Sequence, residues 1–403
     1  MILEFTIKNI LSFKERVTLN MLANSQNTLE DNYVIINDKR ILKSLAIYGS
    51  NASGKSNLFK ALYSVIKVIK QSNNRDVFDY INITPFKLDD EGLNSPSEFE
   101  IKLLINDIKY LYGFTLDKEK IHKEYLYYYP NGRETKIFER TNTNLYSFNK
   151  KDEKFLKDIE KKTTKNKFFL STATNWNYEK TYNVYDFLTK KIKVFTSLEE
   201  LRLCAFEMYY KNNDKLKDFT LDFFKNTDFN IEDYTISKVE FPDDIQVLYP
   251  DFLYRKDTYK VFFKHKNSNK LLSFEEESLG TQVSFSLIPF IMDSLNNNNV
   301  LVIDELDKSL HPLLAIYIVS LYNDTDINKS TAQLIFNTHD TNLLDLNMLR
   351  RDQIWFTEKN VETGVTDLYA LSDFSVRKQE NIEKGYLLGR YGAVPFIRND
   401  INL

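Results

Sequence analysis

The sequence predicts an α/β protein: a phosphate-loop mixed sheet flanked by helices, an antiparallel β meander, and a mostly helical insertion. Three observations predict this fold. Residues 49–56 (GSNASGKS) fit the pattern G-x-x-x-x-G-K-[ST]. Two later apolar segments, 299–305 and 334–340, end in polar residues, as strands that open on a site do. Between the loop and these segments, residues 85–129 alternate between apolar and polar side chains in several runs.

The glycine-rich loop has the neighbours that phosphate binding requires. Residues 41–48 are apolar and are predicted to form one buried strand, and residues 56–68 have the apolar spacing of a helix. The loop amides and the helix N-terminus would face an anion, which the helix dipole favours. Lys55 would reach the β- and γ-phosphates of a nucleotide, and Ser56 would ligate Mg²⁺. A plain glycine turn is the alternative, but the chain has only 10 glycines, so a chance match is rare.

The composition is that of an ordinary globular protein, because 42% of the 403 residues are hydrophobic and 28% are charged. The longest apolar runs are far shorter than a bilayer span. The first residues alternate and carry Glu4 and Lys8, which predicts a strand and not a signal peptide. A single cysteine, Cys204, excludes an internal disulfide and a thiolate metal cage. We therefore expect a cytoplasmic protein with no membrane partner.

The net charge of −3 gives no global basic field that would attract nucleic acid. A local basic surface remains possible. Eight lysines lie between residues 150 and 167, and we expect them to form a solvated helix face. The functional alternative for these lysines is a contact surface for nucleic acid or for an acidic partner.

The chain is predicted to divide into three parts. Residues 1–140 would hold two N-terminal strands, the phosphate loop and the meander, whose first hairpin turns at Asn106-Asp107. Residues 141–230 would form the helical insertion, whose aromatic residues recur at helical spacing and are explained by core packing. Residues 231–403 would return to strands, including 236–241 and 259–264, and would complete the nucleotide site.

Two acids, Asp304 and Glu305, end the apolar segment 299–305. Asp304 suits the water shell of Mg²⁺, which takes few carboxylates. Glu305 can orient or deprotonate an attacking water molecule. His339 ends the next apolar segment and can hydrogen-bond a γ-phosphate, although a lone histidine is often only a surface or core residue. The two acids after a phosphate loop are a strong signal jointly and a weak one alone.

A second anion site is predicted before a helix over residues 283–295. Ser278 would supply a hydroxyl there, and Gly280 would supply an exposed amide. One triphosphate does not need this site in addition to the phosphate loop. We therefore expect it to close on the nucleotide of a second copy in a head-to-tail C2 dimer. A helix start that is simply capped by Ser278 is the alternative.

These segments stand in the order of an ABC-type ATPase head, and the chain resembles one. Residues 49–56 look like the Walker A motif of such a head, and residues 277–282 look like its signature. Residues 300–305 look like Walker B, residues 306–312 like the D-loop, and residues 338–340 like the switch-histidine element. Within that class the chain resembles bacterial AAA-family ATPases of the overcoming-lysogenisation-defect (OLD) type and abortive-infection ATPases, and more distantly SMC-type heads. The resemblance extends to residues 5–13, 349–356 and 385–396.

The resemblance implies roles for the matching residues. Glu305 would be the catalytic base, and His339 would sense the γ-phosphate. Ser278 and Gly280 would act in trans, and Asp307 would bridge the two sites. The residues that would hold ATP and Mg²⁺ in the same chain are Gly49, Asn51, Gly54, Lys55, Ser56, Asn57 and Asp304.

The chain also departs from the pattern of this class at two places. Its signature reads Ser-Leu-Gly-Thr-Gln and not the Ser-Gly-Gly-Gln of transporters, which argues against a transporter subunit. No glutamine lies between Gln71 and Gln246, so the Q-loop residue stays unassigned; Thr84–Phe86 is the region where it is expected.

The function that the resemblance implies is an ATP-driven switch in bacterial phage defence, which would control a separate effector such as a nuclease. OLD proteins carry their own nuclease after the ATPase head. Only residues 340–403 follow His339 here, which is too few for a typical domain, so no nuclease within the chain is expected. The alternative is an SMC-like ATPase of DNA repair or restriction, which predicts salt-dependent DNA binding. An intact Glu305 argues against a scaffold that never hydrolyses ATP.

Overall fold

The computed structural model describes residues 1–211, 214–239, 258–329, 331–377 and 380–395. The strands are β1 Ile2–Lys8, β2 Val17–Asn20, β3 Tyr33–Ile36, β4 Lys39–Leu42, β5 Ser44–Tyr48, β6 Ser97–Ile105, β7 Ile108–Leu116, β8 Ile121–Tyr129, β9 Thr135–Thr141, β10 Leu145–Phe148, β11 Ile192–Phe195, β12 Ile231–Val239, β13 Thr258–His265, β14 Leu271–Ser273, β15 Val300–Ile303, β16 Gln333–Asn337, β17 Ile354–Lys359 and β18 Thr366–Ala370.

The α-helices within the same described ranges are α1 Lys55–Lys70, α2 Asp90–Asn94, α3 Glu153–Glu160, α4 Phe169–Asn175, α5 Glu179–Asp186, α6 Leu198–Lys211, α7 Asp214–Asn226, α8 Leu279–Asn297, α9 Pro312–Asn323 and α10 Ile382–Leu387. Within these ranges no helix combines the length and the apolar character needed to cross a membrane. Helix α8 continues through Pro289.

A six-stranded mixed sheet forms the centre of the protein, in the order β11-β15-β16-β5-β17-β18. The pairs from β11 to β17 are parallel, and β18 is antiparallel to β17. The carboxyl ends of the five parallel strands therefore meet at one edge of the sheet. The phosphate loop follows β5 at this edge, so the predicted α/β fold with a mixed nucleotide sheet is confirmed.

A second sheet has seven antiparallel strands in the order β10-β9-β8-β7-β6-β1-β2. The predicted meander is therefore confirmed. Its first hairpin turns at Asn106 and Asp107, which both have the positive φ of a two-residue hairpin turn (49° and 61°).

Side chains on the two faces of the central sheet enter two different hydrophobic cores. Leu45 and Ile47 of β5 pack with α1 and the meander. Ala46 and Tyr48 of the same strand pack with α8 and α9. This alternation follows from the two-residue period of a strand that is buried on both faces. The phosphate-loop strand is therefore fixed from both sides.

The segment 41–48 is two strands and not the single strand that was predicted. The break is at Lys43, whose N–H donates to the Asn32 carbonyl (2.9 Å), while its own carbonyl accepts from Leu334 N–H (2.9 Å). The chain here leaves the β3–β4 hairpin and enters the parallel sheet. An unbroken run of apolar residues does not show that the strand-pairing partner changes within it. The last residues of the predicted strand 236–241 lie outside the described residues, as do Gln246 and Phe396.

The segment 141–230 contains α3 to α7 and also two strands that join other parts of the protein. β10 pairs with β9 at the edge of the meander. β11 pairs in parallel with β15 and forms the edge of the nucleotide sheet. The segment therefore contributes to both large sheets, and the division of the chain into three domains stays a prediction.

Candidate functional site

The phosphate loop turns sharply between β5 and α1, and its two glycines allow neighbouring strands to pack directly against it. Gly54 precedes α1 with φ +114°. A Cβ atom at Gly54 would lie 2.5 Å from Thr366 Oγ1, and one at Gly49 would lie 2.5 Å from the Thr357 carbonyl oxygen. Both positions therefore require glycine. Asn51 lies exposed in the same loop.

Polar side chains from other strands support the loop from behind, and sequence analysis did not find them. Ser53 Oγ lies 2.7 Å from Thr357 Oγ1. Thr366 Oγ1 lies 3.0 Å from the Ser53 carbonyl oxygen and 2.9 Å from Ser12 Oγ. Asn57 Nδ2 also donates to Ser12 Oγ (2.9 Å), so this predicted nucleotide ligand holds the N-terminal strand pair against α1.

Lys55 lies buried inside the loop and binds the loop's own carbonyls. Its Nζ donates to the carbonyl oxygens of Gly49 (2.7 Å) and Ser50 (3.0 Å). Burial lowers the pKa of Lys55 to about 8, and the nearby carboxylates, led by Asp304, oppose that shift. A polyphosphate beside Lys55 would favour the charged ammonium and raise this pKa.

This pKa predicts that ATP binding takes up protons in mildly alkaline solution. The charged form of Lys55 binds phosphate, so affinity should be constant below about pH 7 and should fall above about pH 8, by up to about tenfold per pH unit. Titration calorimetry in buffers of different ionisation enthalpy measures the uptake. We expect about half a proton per bound ATP at pH 8 and almost none at about pH 6.8. An affinity that stays constant to about pH 9.5 would contradict the lowered pKa.

Asp304 forms the centre of a hydrogen-bonded group at the ends of β15 and β16. Its Oδ1 accepts from Ser56 Oγ (2.9 Å) and from Asn337 Nδ2 (2.5 Å). Asn337 Oδ1 in turn accepts from the Glu305 backbone N–H (2.5 Å). Asn337 is fully buried and is the last residue of β16. It therefore connects the two acids, a role that sequence analysis missed; the one available signal was its position two residues before His339.

Glu305 follows the strand in a left-handed backbone conformation, with φ 57°. Such a conformation is uncommon for a residue other than glycine and often marks a functional turn. Its Oε2 accepts a hydrogen bond from Lys308 Nζ (2.8 Å). This bond with Lys308 is the main cause of a lowered pKa for the Glu305 carboxyl group, so the group is ionised at neutral pH.

His339 and Asp307 meet at the same edge of the sheet. The backbone N–H of His339 donates to both carboxylate oxygens of Asp307 (3.2 and 3.3 Å). Burial and then the charge of Lys55 lower the pKa of His339, against the carboxylates of Asp307, Glu305 and Asp304. The imidazole is therefore neutral at neutral pH. The structure thus brings six predicted site residues together: Lys55, Ser56, Asp304, Glu305, Asp307 and His339.

The predicted signature residues lie at the start of α8. Ser278 caps this helix, because its Oγ accepts from the Thr281 N–H (3.1 Å). A Cβ atom at Gly280 would lie 3.1 Å from the Ser309 carbonyl oxygen, so the predicted D-loop packs closely on the predicted signature. In the parts of the chain that the structure describes, no hydrogen bond joins Ser278 or Gly280 to the phosphate loop.

The oxygen atoms of Ser56 and Asp304 fit a magnesium ion. Mg²⁺ commonly takes one or two protein ligands and keeps several water molecules. Groups of three or more His, Cys, Asp or Glu side chains that could cage a metal are absent from the described ranges. A pair of hard oxygen ligands next to a phosphate loop matches a magnesium site that is completed by water molecules, and not a cage of protein ligands.

Comparison with known proteins identifies a family for most of the chain. The family model described as "AAA domain, putative AbiEii toxin, Type IV TA system" matches residues 44–345. No curated protein matches the chain.

Several solved structures are similar to the chain at low sequence identity. An SMC head bound to the C-winged helix domain of ScpA is 13% identical with a TM-score of 0.48, over 92% of this chain and 97% of that one. An SMC head domain from Thermotoga maritima is 13% identical with a TM-score of 0.42, over 92% and 98%. An Smc head domain from Pyrococcus furiosus, with an extended coiled coil and bound to the C-terminal domain of ScpA, is 13% identical with a TM-score of 0.43, over 97% and 98%.

Proposed function

The chain belongs to this family of AAA-type ATPase domains, and from that premise we propose that it is an ATP-hydrolysing switch that works as a head-to-tail homodimer with two ATP–Mg²⁺ sites. The observation that carries the proposal is the hydrogen-bonded group at the carboxyl ends of β15 and β16. Ser56, Asp304, Asn337 and Glu305 form a continuous chain of contacts there.

Each residue of this group has a proposed task that follows from its position. Lys55 and the amides of residues 49–56 bind the phosphates. Ser56 and Asp304 hold Mg²⁺, which supplies charge neutralisation on the β- and γ-phosphates when bound. Glu305 accepts the proton of the attacking water molecule, for which its ionised state is required. His339 is neutral, because burial and the nearby charge of Lys55 lower its pKa. It donates or accepts a hydrogen bond at the γ-phosphate.

The dimer is proposed because Gly280 of the second anion site packs on the Ser309 carbonyl, while no hydrogen bond among the described residues joins this site to the phosphate loop. Ser278 and Gly280 offer a hydroxyl and an amide at the N-terminus of the 19-residue helix α8. The helix dipole favours an anion there. A second copy in the head-to-tail arrangement would place its γ-phosphate at this position, and Asp307 would lie between the two sites.

Ser278→Arg is therefore expected to lower ATP turnover at least tenfold, because a long side chain at the start of α8 would block the partner's nucleotide. ATP affinity of the single chain should stay within about threefold, since the phosphate loop is untouched. Steady-state phosphate release and nucleotide titration measure the two quantities. Ser273→Arg is the matched control, because Ser273 caps a different short helix. Unchanged turnover in Ser278→Arg would contradict the trans arrangement.

The proposed biological role is the regulatory ATPase of a bacterial anti-phage system, acting in the cytoplasm on a separate effector such as a nuclease. The family description, which refers to a toxin of a toxin–antitoxin system, supports a role of this kind. A relationship to the ATPase half of OLD proteins belongs to the same proposal. Part of the lysine segment is paired internally, as Lys157 with Glu153 (2.8 Å) and Lys161 with Asp158 (3.0 Å), which gives the DNA-binding alternative no added support.

Mass in solution tests the switch. Light scattering of the wild type and of Glu305→Gln, each with and without ATP and Mg²⁺, should show a shift to dimer or larger that is strongest in the variant with ATP. Lys55→Ala, which removes the phosphate-binding ammonium, should show no shift. A mass that does not respond to nucleotide in either protein would refute a dimer controlled by ATP.

A further inference from the structure

A groove runs between the C-terminal half of α1, the edge strand β11 and helix α6. Its volume is about 680 Å³. The apolar part of its lining includes Ile66, Val194 and Phe290. We call this feature the lysine-rimmed groove, because its charged lining includes Lys67, Lys70 and Lys193.

Three lysines and two glutamates contribute to the lining, so its net charge is positive in the part of the chain that the structure describes. Across the described residues, no ion pair involves Lys67, Lys70 or Lys193. Of the two acids at the groove, Glu207 pairs with Lys211. Glu200 accepts from the Tyr63 hydroxyl (3.3 Å) and keeps its negative charge, which offsets one of the three lysines. The groove therefore combines an apolar lining with a net positive rim, which suits an apolar group flanked by carboxylates.

A loop of that chemistry lies in the same chain, immediately after α1. In residues 75–80 (RDVFDY), which we call the aromatic loop, the Phe78 side chain is 91% exposed and Tyr80 is 68% exposed. Asp76 and Asp79 flank Phe78 on either side. A phenylalanine exposed to this extent gains nothing from folding of the single chain, because its apolar surface stays in water.

The aromatic loop is nevertheless held firmly by buried polar groups. Asn166 is fully buried, and its Nδ2 donates to the carbonyl oxygens of Asp76 (2.6 Å) and Asp79 (2.9 Å). The buried Arg75 guanidinium donates to the carbonyl oxygens of Asn166 (3.1 Å) and Val68 (2.5 Å). A loop that is already ordered loses little conformational entropy on binding, so its aromatic side chains are preorganised for a partner.

We propose that the aromatic loop of one copy docks in the lysine-rimmed groove of a second copy, and that the exchange is reciprocal about a two-fold axis. Phe78 would enter the apolar lining, and Asp76 and Asp79 would face the rim lysines. Complementary charge selects this occupant over a neutral or basic one. A two-fold interface uses every contact twice, which offsets the small area of a single loop.

This interface would not require nucleotide, because none of its proposed contacts uses a residue of the phosphate loop. The aromatic loop follows the C-terminal end of α1, and the 16 residues of that helix place it about 24 Å from the phosphate loop. The groove extends closer to the nucleotide site, since Phe195 in its lining accepts a hydrogen bond from the Asp304 N–H (3.0 Å). Where both interfaces form, they would join ATP-dependent dimers into larger assemblies.

The test is the concentration dependence of mass in solution without nucleotide, by sedimentation velocity. We expect the wild type to self-associate. Phe78→Ser should raise the dissociation constant of this association at least 30-fold, as the loss of a central aromatic contact does. Val361→Ser is the matched control, because Val361 is 98% exposed elsewhere and should change nothing. A wild type that stays monomeric at every concentration would overturn the proposal, as would unchanged association in Phe78→Ser.

A charge exchange makes the test specific for the groove. Lys67→Glu with Lys70→Glu should weaken association, and so should Asp76→Lys with Asp79→Lys. Combining all four changes should restore association to within about tenfold of the wild type, because the pairs are reformed with opposite signs. Failure of the combination, in a protein whose Asn166-anchored loop still folds by circular dichroism and thermal unfolding, would overturn the proposal. Lys55→Ala should leave this association unchanged, so its outcome is separate from that of the ATP switch.

Discussion

Replacing Glu305 by Gln is expected to lower ATP turnover by about 10²- to 10⁴-fold while ATP binding is kept. Gln has nearly the same shape and leaves the backbone bond from Glu305 N–H to Asn337 in place. It cannot accept the proton of the attacking water molecule. Phosphate release at saturating ATP and Mg²⁺ measures the loss, and an equilibrium titration with labelled ATP shows that binding remains.

Two further variants make this result specific. Glu362→Gln changes an exposed glutamate in a surface turn and should leave turnover unchanged. Lys308→Ala removes the main cause of the lowered pKa of Glu305, so that pKa should rise toward its ordinary value. The acidic limb of the pH–rate profile should then move to higher pH. If Glu305→Gln kept more than a tenth of wild-type turnover, another group would have to be the base.

Asn337→Leu is expected to lower turnover by about 10²-fold and to raise the Mg²⁺ concentration needed for half-maximal rate. The leucine would leave Asp304 without its amide donor and the Glu305 N–H without an acceptor, both in a partly buried site. A buried group left without its partner costs about 1–3 kcal/mol, and more when it is charged. Thermal unfolding and turnover as a function of Mg²⁺ measure the two consequences.

The control for Asn337 is another buried asparagine that makes two bonds from its amide. Asn32 Nδ2 donates to the Met348 carbonyl (2.8 Å) and to Gln353 Oε1 (2.7 Å). Asn32→Leu should lower the unfolding temperature similarly but leave the Mg²⁺ dependence of the folded protein unchanged. If both variants changed the Mg²⁺ dependence equally, Asn337 would have only a structural role.

The parts of the site that were predicted from sequence are those carried by short, contiguous patterns. The phosphate loop needs eight consecutive residues, and Asp304-Glu305 needs one apolar strand before it. The local geometry of each pattern can be predicted from the sequence, because the turn, the strand and the helix are neighbours in the chain. The fold class followed from the same patterns and from the meander, whose alternating strands pair with their sequence neighbours.

The residues that were missed act through partners far away in the chain. Thr357 and Thr366 are single hydroxyls within strands, and only the packing of β17 and β18 brings them to Ser53. Asn337 is one amide at a strand end. The break at Lys43 was missed for the same reason, because strand character can be predicted locally and a pairing partner cannot. β11 was missed as a strand, because its four residues lie within a segment that was predicted to be mostly helical.

The strand order of the central sheet has a consequence for how the protein is made. β5, which carries the phosphate loop, has β16 and β17 as its two neighbours, and both are synthesised long after it. Most of the chain must therefore leave the ribosome before β16 and β17 can pair with β5 beside the phosphate loop. Until then β5 is an apolar strand with two open edges, the kind of segment that aggregates or recruits chaperones. The N-terminal meander strands pair mostly with near neighbours and can fold meanwhile, so we expect nucleotide binding to appear last during synthesis.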